Sequence, residues 1–310
     1  MKKLFGYLAI VLLFASCEKE IEIIDSNTNN PGTLQSELAA QNPFKIYLGD
    51  PSLVIAHRGG ASLKPENTML AFNNAANLNV DVLEMDVVLT KDNILVTNHD
   101  VTINSTSDTS GNVSDFTFQE LQQFNFGYNF QAPDGSYPCR VNPVRIPRLE
   151  DVFIQHPDEL MSIEIKDLGN RGKLAADILQ ALISNYNMAS KVMVFSFAND
   201  VMARINVVNS EGYIPGAAIG ESLSLVNAAF AGTDSLLTVN ADVFVFPTEL
   251  IGLNLTSDTV IDAIHRQGAA VHYWTINDKS EMKSLILKGA DGIITNEPIL
   301  LQEALTELGF

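Results

Sequence analysis

The chain has 310 residues, of which 46% are hydrophobic, and a formal net charge of −18. That much apolar material allows one large domain or two medium ones. The acidic balance argues against a nucleic-acid partner and against a polybasic grip on anionic lipid. The two cysteines, Cys17 and Cys139, sit in unlike settings and do not form a disulfide framework. Cys139 lies in a polar, Pro-rich stretch and reads as an unpaired thiol without a role.

The first residues are Met1-Lys2-Lys3, then an apolar run from Leu4 to Phe14, then Ala15-Ser16-Cys17 and the polar Glu18-Lys19-Glu20. A basic start, a short apolar run and small residues before a cut are the parts of a secretory signal. The run is too short for a membrane span, which needs about 20 residues. A cysteine directly after Ala-Ser resembles the bacterial lipobox, although Phe14 stands where Leu is preferred. The expectation is a signal peptide over 1–16, a lipid on Cys17 and a flexible tether over 17–45 rich in Ser, Thr, Asn, Gln and Glu. The protein would then be exported and held to a membrane of a bacterial cell envelope by the lipid alone. The competing reading is an ordinary signal peptide with an incidental Cys17.

From Leu53 onward, short β-branched or aromatic runs alternate with longer amphipathic stretches. Strands are predicted at 53–57, 82–88, 161–166, 192–197, 214–219, 242–247, 270–276 and 291–295. Helices are predicted at 67–78, 171–187, 199–209, 256–267 and 278–288, among others. This alternation predicts a parallel α/β fold, and its length suits one closed (β/α)₈ TIM barrel over 46–310. An open doubly wound sheet is the competitor, but no Gly-rich phosphate loop follows the first strand. Residues 100–145 break the rhythm, being rich in Asn, Ser, Thr, Gly, Pro and Phe. They read as an irregular insertion after the second barrel strand, before a helix near 148–156.

Polar residues inside apolar strands carry the chemistry. In Val82-Leu83-Glu84-Met85-Asp86-Val87-Val88, alternation puts Glu84 and Asp86 on one face. In Ile163-Glu164-Ile165-Lys166, Glu164 and Lys166 share a face. Carboxylates side by side in apolar strands are costly unless a cation or hydrogen bonds offset them. Three at the mouth of a barrel make a hard-oxygen site suited to one divalent cation, Mg²⁺ or Ca²⁺. His57 and His99 each follow a strand-like run and could divide general acid and base work. Arg58 can hold a phosphate through paired donors. Each of these residues also has a bland reading: a solvated strand end, a satisfied core histidine, a surface arginine. His156 and His265 read as surface residues and His272 as a buried structural one. Trp274 either packs against a carbon skeleton or fills the barrel top.

Taken in order, these segments resemble the glycerophosphodiester phosphodiesterase family. The match runs through His57-Arg58-Gly59, Pro65-Glu66-Asn67-Thr68, Glu84-Met85-Asp86, His99-Asp100, Glu164-Ile165-Lys166, Trp274-Thr275-Ile276-Asn277 and Asp291 to Pro298. The resemblance implies a metal-dependent hydrolase that releases glycerol 3-phosphate and an alcohol from small glycerophosphodiesters. By it, Glu84, Asp86 and Glu164 would hold the metal, and His57 and His99 would be the acid–base pair. Arg58 and Lys166 would contact the phosphate, Trp274 would line the glycerol side, and Glu66 and Asn67 would support the site. The oligomeric state stays open. A phospholipase D-like enzyme acting on lysophospholipids or sphingomyelin would share these residues, and the aromatics Phe116, Phe118, Phe124, Phe126, Tyr128 and Phe130 keep that alternative in view. A non-catalytic lipoprotein that binds phosphate ligands is the remaining alternative.

Overall fold

Runs of Val, Ile, Leu and Met form the staves of a barrel. The protein is described here by a computed structural model covering residues 42–46 and 50–310. The expected signal peptide, Cys17 and most of the tether lie outside the described residues. The parallel strands are β1 (Leu53–Ala56), β2 (Val82–Leu89), β3 (Leu160–Ile165), β4 (Val192–Phe195), β5 (Ile214–Pro215), β6 (Val243–Phe246), β7 (Ala270–Tyr273) and β8 (Gly292–Thr295). A helix follows each: α1 (Met69–Asn77), α2 (Leu149–Gln155), α3 (Gly169–Asn185), α4 (Asn199–Val208), α5 (Ile219–Ala231), α6 (Asp258–Arg266), α7 (Lys279–Leu287) and α8 (Pro298–Leu308). Neighbours in sequence are neighbours in space, and β1 also pairs with β8. The ring closes between β5 and β6 through a bridge from Gly216 to Val243. This is the expected (β/α)₈ barrel.

Strand β5 is much shorter than the 214–219 predicted. Pro215 has no N–H to give a ladder. Gly216 then lies so close to β4 that a Cβ there would sit 2.6 Å from Cβ of Phe195. The chain turns away at once and enters α5 at Ile219. Helix ends follow ordinary capping chemistry. Thr68 accepts from the Ala71 N–H at the start of α1, Asp278 from Ser280 and Glu281 at α7, and Pro298 opens α8.

Residues 42–46, of which 42–45 fall within the expected tether, dock onto the barrel floor. Phe44 is fully buried, and its carbonyl faces Nε2 of His272 at 2.7 Å. The Ile46 N–H donates to Asp291, and Lys45 Nζ to the Gly268 carbonyl. Asp291 also takes His265 Nε2 at 2.8 Å, so that helix histidine is tied to the floor. His156 is buried too, against Asn73, rather than lying on the surface.

The insertion between β2 and α2 has its own small core. Val88, Val96, Ile103, Val113, Leu121, Phe126 and Ile146 cluster there, with Phe116, Phe118 and Phe124 packed around them. A short strand, Leu95–Thr97, runs antiparallel to the end of β2 and leads into it. Most of the insertion's aromatic residues are therefore spent on its own packing. Cys139 is a free, buried thiol in this region.

Candidate active site

The pocket at the C-terminal end of the strands opens to solvent and holds about 430 Å³ of empty space. His57, Arg58, Glu84, Asp86, His99, Glu164, Lys166 and Trp274 all line it. Residues far apart in sequence meet because each sits on, or just after, the upper end of a strand. In a barrel these ends form one face.

The turn after β1 sets the first group. Arg58 adopts φ 53°, Gly59 φ 82° and Gly60 φ 87°. At Gly59 a Cβ would lie 2.7 Å from that of Ala71, so the turn cannot take a larger residue without moving α1. The turn aims the Arg58 N–H at Glu84 Oε2, 2.7 Å away. The guanidinium pairs with Glu66 at 2.9 Å and stands 3.5 Å from Asp86. Glu66 thus anchors Arg58 and does not line the pocket itself. Asn67, at φ 54°, supports Asp86 in both directions. Its Nδ2 donates to Asp86 Oδ2 at 2.9 Å, and its Oδ1 accepts from the Asp86 N–H at 3.2 Å.

Strands β2 and β3 supply the acids. Asp86 pairs in register with Glu164, and Glu84 lies two residues back on the same face. Lys166 Nζ reaches Glu164 at 3.0 Å and Asp86 at 3.6 Å. Burial, then the neighbouring Asp86, pushes Glu84 well above the usual carboxylate range. Burial pushes Glu164 up to about 7, against the pull of Lys166. Packed carboxylates that resist ionisation lack positive charge, and their hard oxygens suit Mg²⁺ or Ca²⁺. Among the described residues, no three His, Cys, Asp or Glu side chains are already gathered as metal ligands. The chemistry of the donors fits a divalent cation, while Arg58 and Lys166 occupy some of their oxygens.

The two histidines are held differently. His57 Nδ1 faces Asn296 Oδ1 at 2.6 Å. An amide oxygen only accepts, so Nδ1 carries the proton and Nε2 the lone pair. Arg58 Nε donates to that Nε2 at 3.2 Å. Burial, and then Arg58, pushes His57 down to about 4, which keeps it neutral. His99 Nδ1 instead faces Asp100 at 2.8 Å, and Ser105 Oγ donates to the other Asp100 oxygen at 2.9 Å.

Sequence reasoning gave no role to Asn296, Asp100 or Ser105, nor to Phe195 and Phe197 on the apolar wall. Phe197 lies against Trp274, ring centroids 5.9 Å apart, and so completes the side where Trp274 was expected. The Asp100 role had a local signal, since the carboxylate adjoins its histidine in sequence. Asn296 stood in the matching segment Asp291 to Pro298, but nothing there tied it to His57.

The sequence pattern of the Glycerophosphoryl diester phosphodiesterase family matches residues 57–300. A glycerophosphodiester phosphodiesterase of Caldanaerobacter subterraneus subsp. tengcongensis is 31% identical over 249 residues, covering 80% of this chain and 95% of that one. The lysophospholipase D GDPD1 of Rattus norvegicus is 27% identical over 278 residues, covering 82% of this chain and 86% of that one. The glycerophosphoryl diester phosphodiesterase domain of a Mycobacterium tuberculosis protein superposes with a TM-score of 0.73 at 21% identity, over 82% of this chain and 99% of that domain. At that identity the likeness speaks for the fold alone.

Proposed function

The chain belongs to the glycerophosphoryl diester phosphodiesterase family, and on that premise we propose that it hydrolyses glycerophosphodiesters to glycerol 3-phosphate and an alcohol. One observation carries the reading: two histidines, three acids and two cations line a single pocket at the barrel mouth. Glu84, Asp86 and Glu164 would hold one divalent cation, Mg²⁺ or Ca²⁺, which would supply positive charge for the phosphoryl oxygens.

The chain's own groups divide the remaining work. Arg58 and Lys166 bind and orient the phosphate. Once the Arg58 guanidinium turns to the phosphate and releases Nε2, neutral His57 accepts a proton there from the attacking group, a water or the neighbouring glycerol hydroxyl. His99, oriented by Asp100, gives a proton to the departing alcohol oxygen. Phe197 and Trp274 exclude water from the glycerol side.

A second reading, a lysophospholipase D, is favoured by the similarity to the rat protein of that name. Product analysis separates the two. Incubation with glycerophosphocholine should release glycerol 3-phosphate. Release of lysophosphatidate from lysophosphatidylcholine, with glycerophosphocholine untouched, would overturn the first reading for the second.

The proposal also places the protein outside the cytoplasm, anchored by lipid on Cys17. The basic start, the short apolar run and the Ala-Ser-Cys step support it. Among the described residues no helix is long and apolar enough to cross a membrane.

A further inference from the structure

Strands β7 and β8 are neighbours, so the chain leaving one runs beside the chain leaving the other. The Ile276 N–H donates to the Ile294 carbonyl at 3.1 Å. One residue on, the Asn277 side chain makes the last joint between them. Its Oδ1 accepts from the Asn296 N–H at 2.9 Å and from Thr295 Oγ1 at 3.2 Å. A backbone N–H can meet only the oxygen of that amide, so the amide's orientation is fixed. Thr295 Oγ1 accepts in turn from the Glu297 N–H at 2.9 Å. On the other side, the Ser62 N–H from the turn after β1 reaches the Asn296 carbonyl at 3.4 Å.

This joint carries the partner of His57. Arg58 Nε can only donate, and it points at His57 Nε2. In a neutral imidazole the proton then sits on Nδ1 and needs an acceptor. Asn296 Oδ1 is that acceptor, 2.6 Å away. When Arg58 turns to a phosphate, the Asn296 contact is what keeps the proton on Nδ1 and leaves Nε2 ready to accept. Asn296 lies beyond the end of β8, and a side chain on a loop holds its geometry only when its backbone is held.

We propose that Asn277 is a positioning residue for the general base. It fixes the backbone of Thr295 and Asn296, and Asn296 then holds the His57 ring and its proton in place. Asn277 itself is exposed and stands outside the lining of the pocket. The role rests on the hydrolytic reading above. A role through Trp274, three residues back on the pocket wall, would differ in kinetics. Misalignment of His57 lowers kcat and leaves KM, whereas loss of a binding wall raises KM.

The full chain carrying isotope-labelled histidine reports the His57 tautomer through its ring nitrogens, with the signal assigned by its loss in His57→Ala. The native protein should show His57 protonated at Nδ1. Asn277→Ala, a change at an exposed position, should mix the two tautomers. It should also lower kcat on glycerophosphoethanolamine by about two- to tenfold, the worth of one hydrogen bond, with KM unchanged. Asn277→Asp, which keeps the accepting oxygen, should restore both readouts. In an Asn296→Ala background, Asn277→Ala should cost nothing further, because the two act in one chain of contacts. His57 protonated at Nε2 in the native protein, native kcat in Asn277→Ala, a rise in KM alone, or a full added loss in the double variant would each overturn the role while leaving hydrolysis in place. No glycerol 3-phosphate from the native protein would overturn the hydrolytic reading and the role with it.

Discussion

Replacing Asp100 with Asn isolates one charge in the proposed acid. Asn keeps an acceptor for His99 Nδ1 and removes the negative charge 2.8 Å away. Some burial pushes the Asp100 carboxyl up, but the hydrogen bonds from His99 and Ser105 outweigh it and hold the carboxyl below its usual range. A charge-assisted hydrogen bond contributes about 1.5–3 kcal/mol. The pair is partly open to solvent, with side-chain exposures of 33% and 44%, so screening brings this to about 1–2 kcal/mol. That corresponds to a loss of about 5- to 30-fold in kcat/KM. Asp100→Ala, which also removes the acceptor, should cost more, up to the ~10²–10⁴ that general acids contribute. An Asp100→Asn enzyme with native kcat/KM would refute the coupling.

Two further expectations follow from the geometry and a third from the sequence. Asn67→Ala removes two buried hydrogen bonds to Asp86 and places alanine in a left-handed conformation. It should cost about 3 kcal/mol in urea unfolding, and a loss under about 1 kcal/mol would contradict the supporting role. Burial depresses the pKa of His272 below its ordinary 6.5, so its contribution to stability is complete above that pH and is lost as the pH falls below it. The drop in unfolding midpoint between pH 7.5 and pH 5 should shrink in His272→Gln, which keeps a donor for the Phe44 carbonyl; an equal drop would place the acid sensitivity elsewhere. Cys17→Ala should leave the protein out of the membrane fraction after cell lysis, and continued sedimentation with membranes would remove the lipid anchor.

How much was legible in advance depended on how far each signal had to reach. Glu84 with Asp86, and Glu164 with Lys166, stand two residues apart inside apolar strands, so strand alternation alone put each pair on one face. The alternation of apolar runs gave the barrel because each βα unit is local. The contacts that orient the catalytic groups are not local. Asn296 reaches His57 across 239 residues, and no pattern around either residue announces it. The docking of residues 42–46 was hidden for the same reason, since their partners Asp291 and His272 come from the far end of the chain. The insertion's aromatic residues illustrate a different limit. Composition cannot say which of them turn inward, and the structure divides them between a small core and, at Phe130, a cleft wall.

The central claim is that these residues, with a divalent cation, cleave a phosphodiester. It is tested most directly by stripping the enzyme with EDTA, restoring Mg²⁺ or Ca²⁺, and following glycerol 3-phosphate release from glycerophosphoethanolamine beside His57→Ala. Release should stop without metal, return with it, and fall at least ~10²-fold in a folded His57→Ala protein. Undiminished release in EDTA, or from His57→Ala, would contradict it.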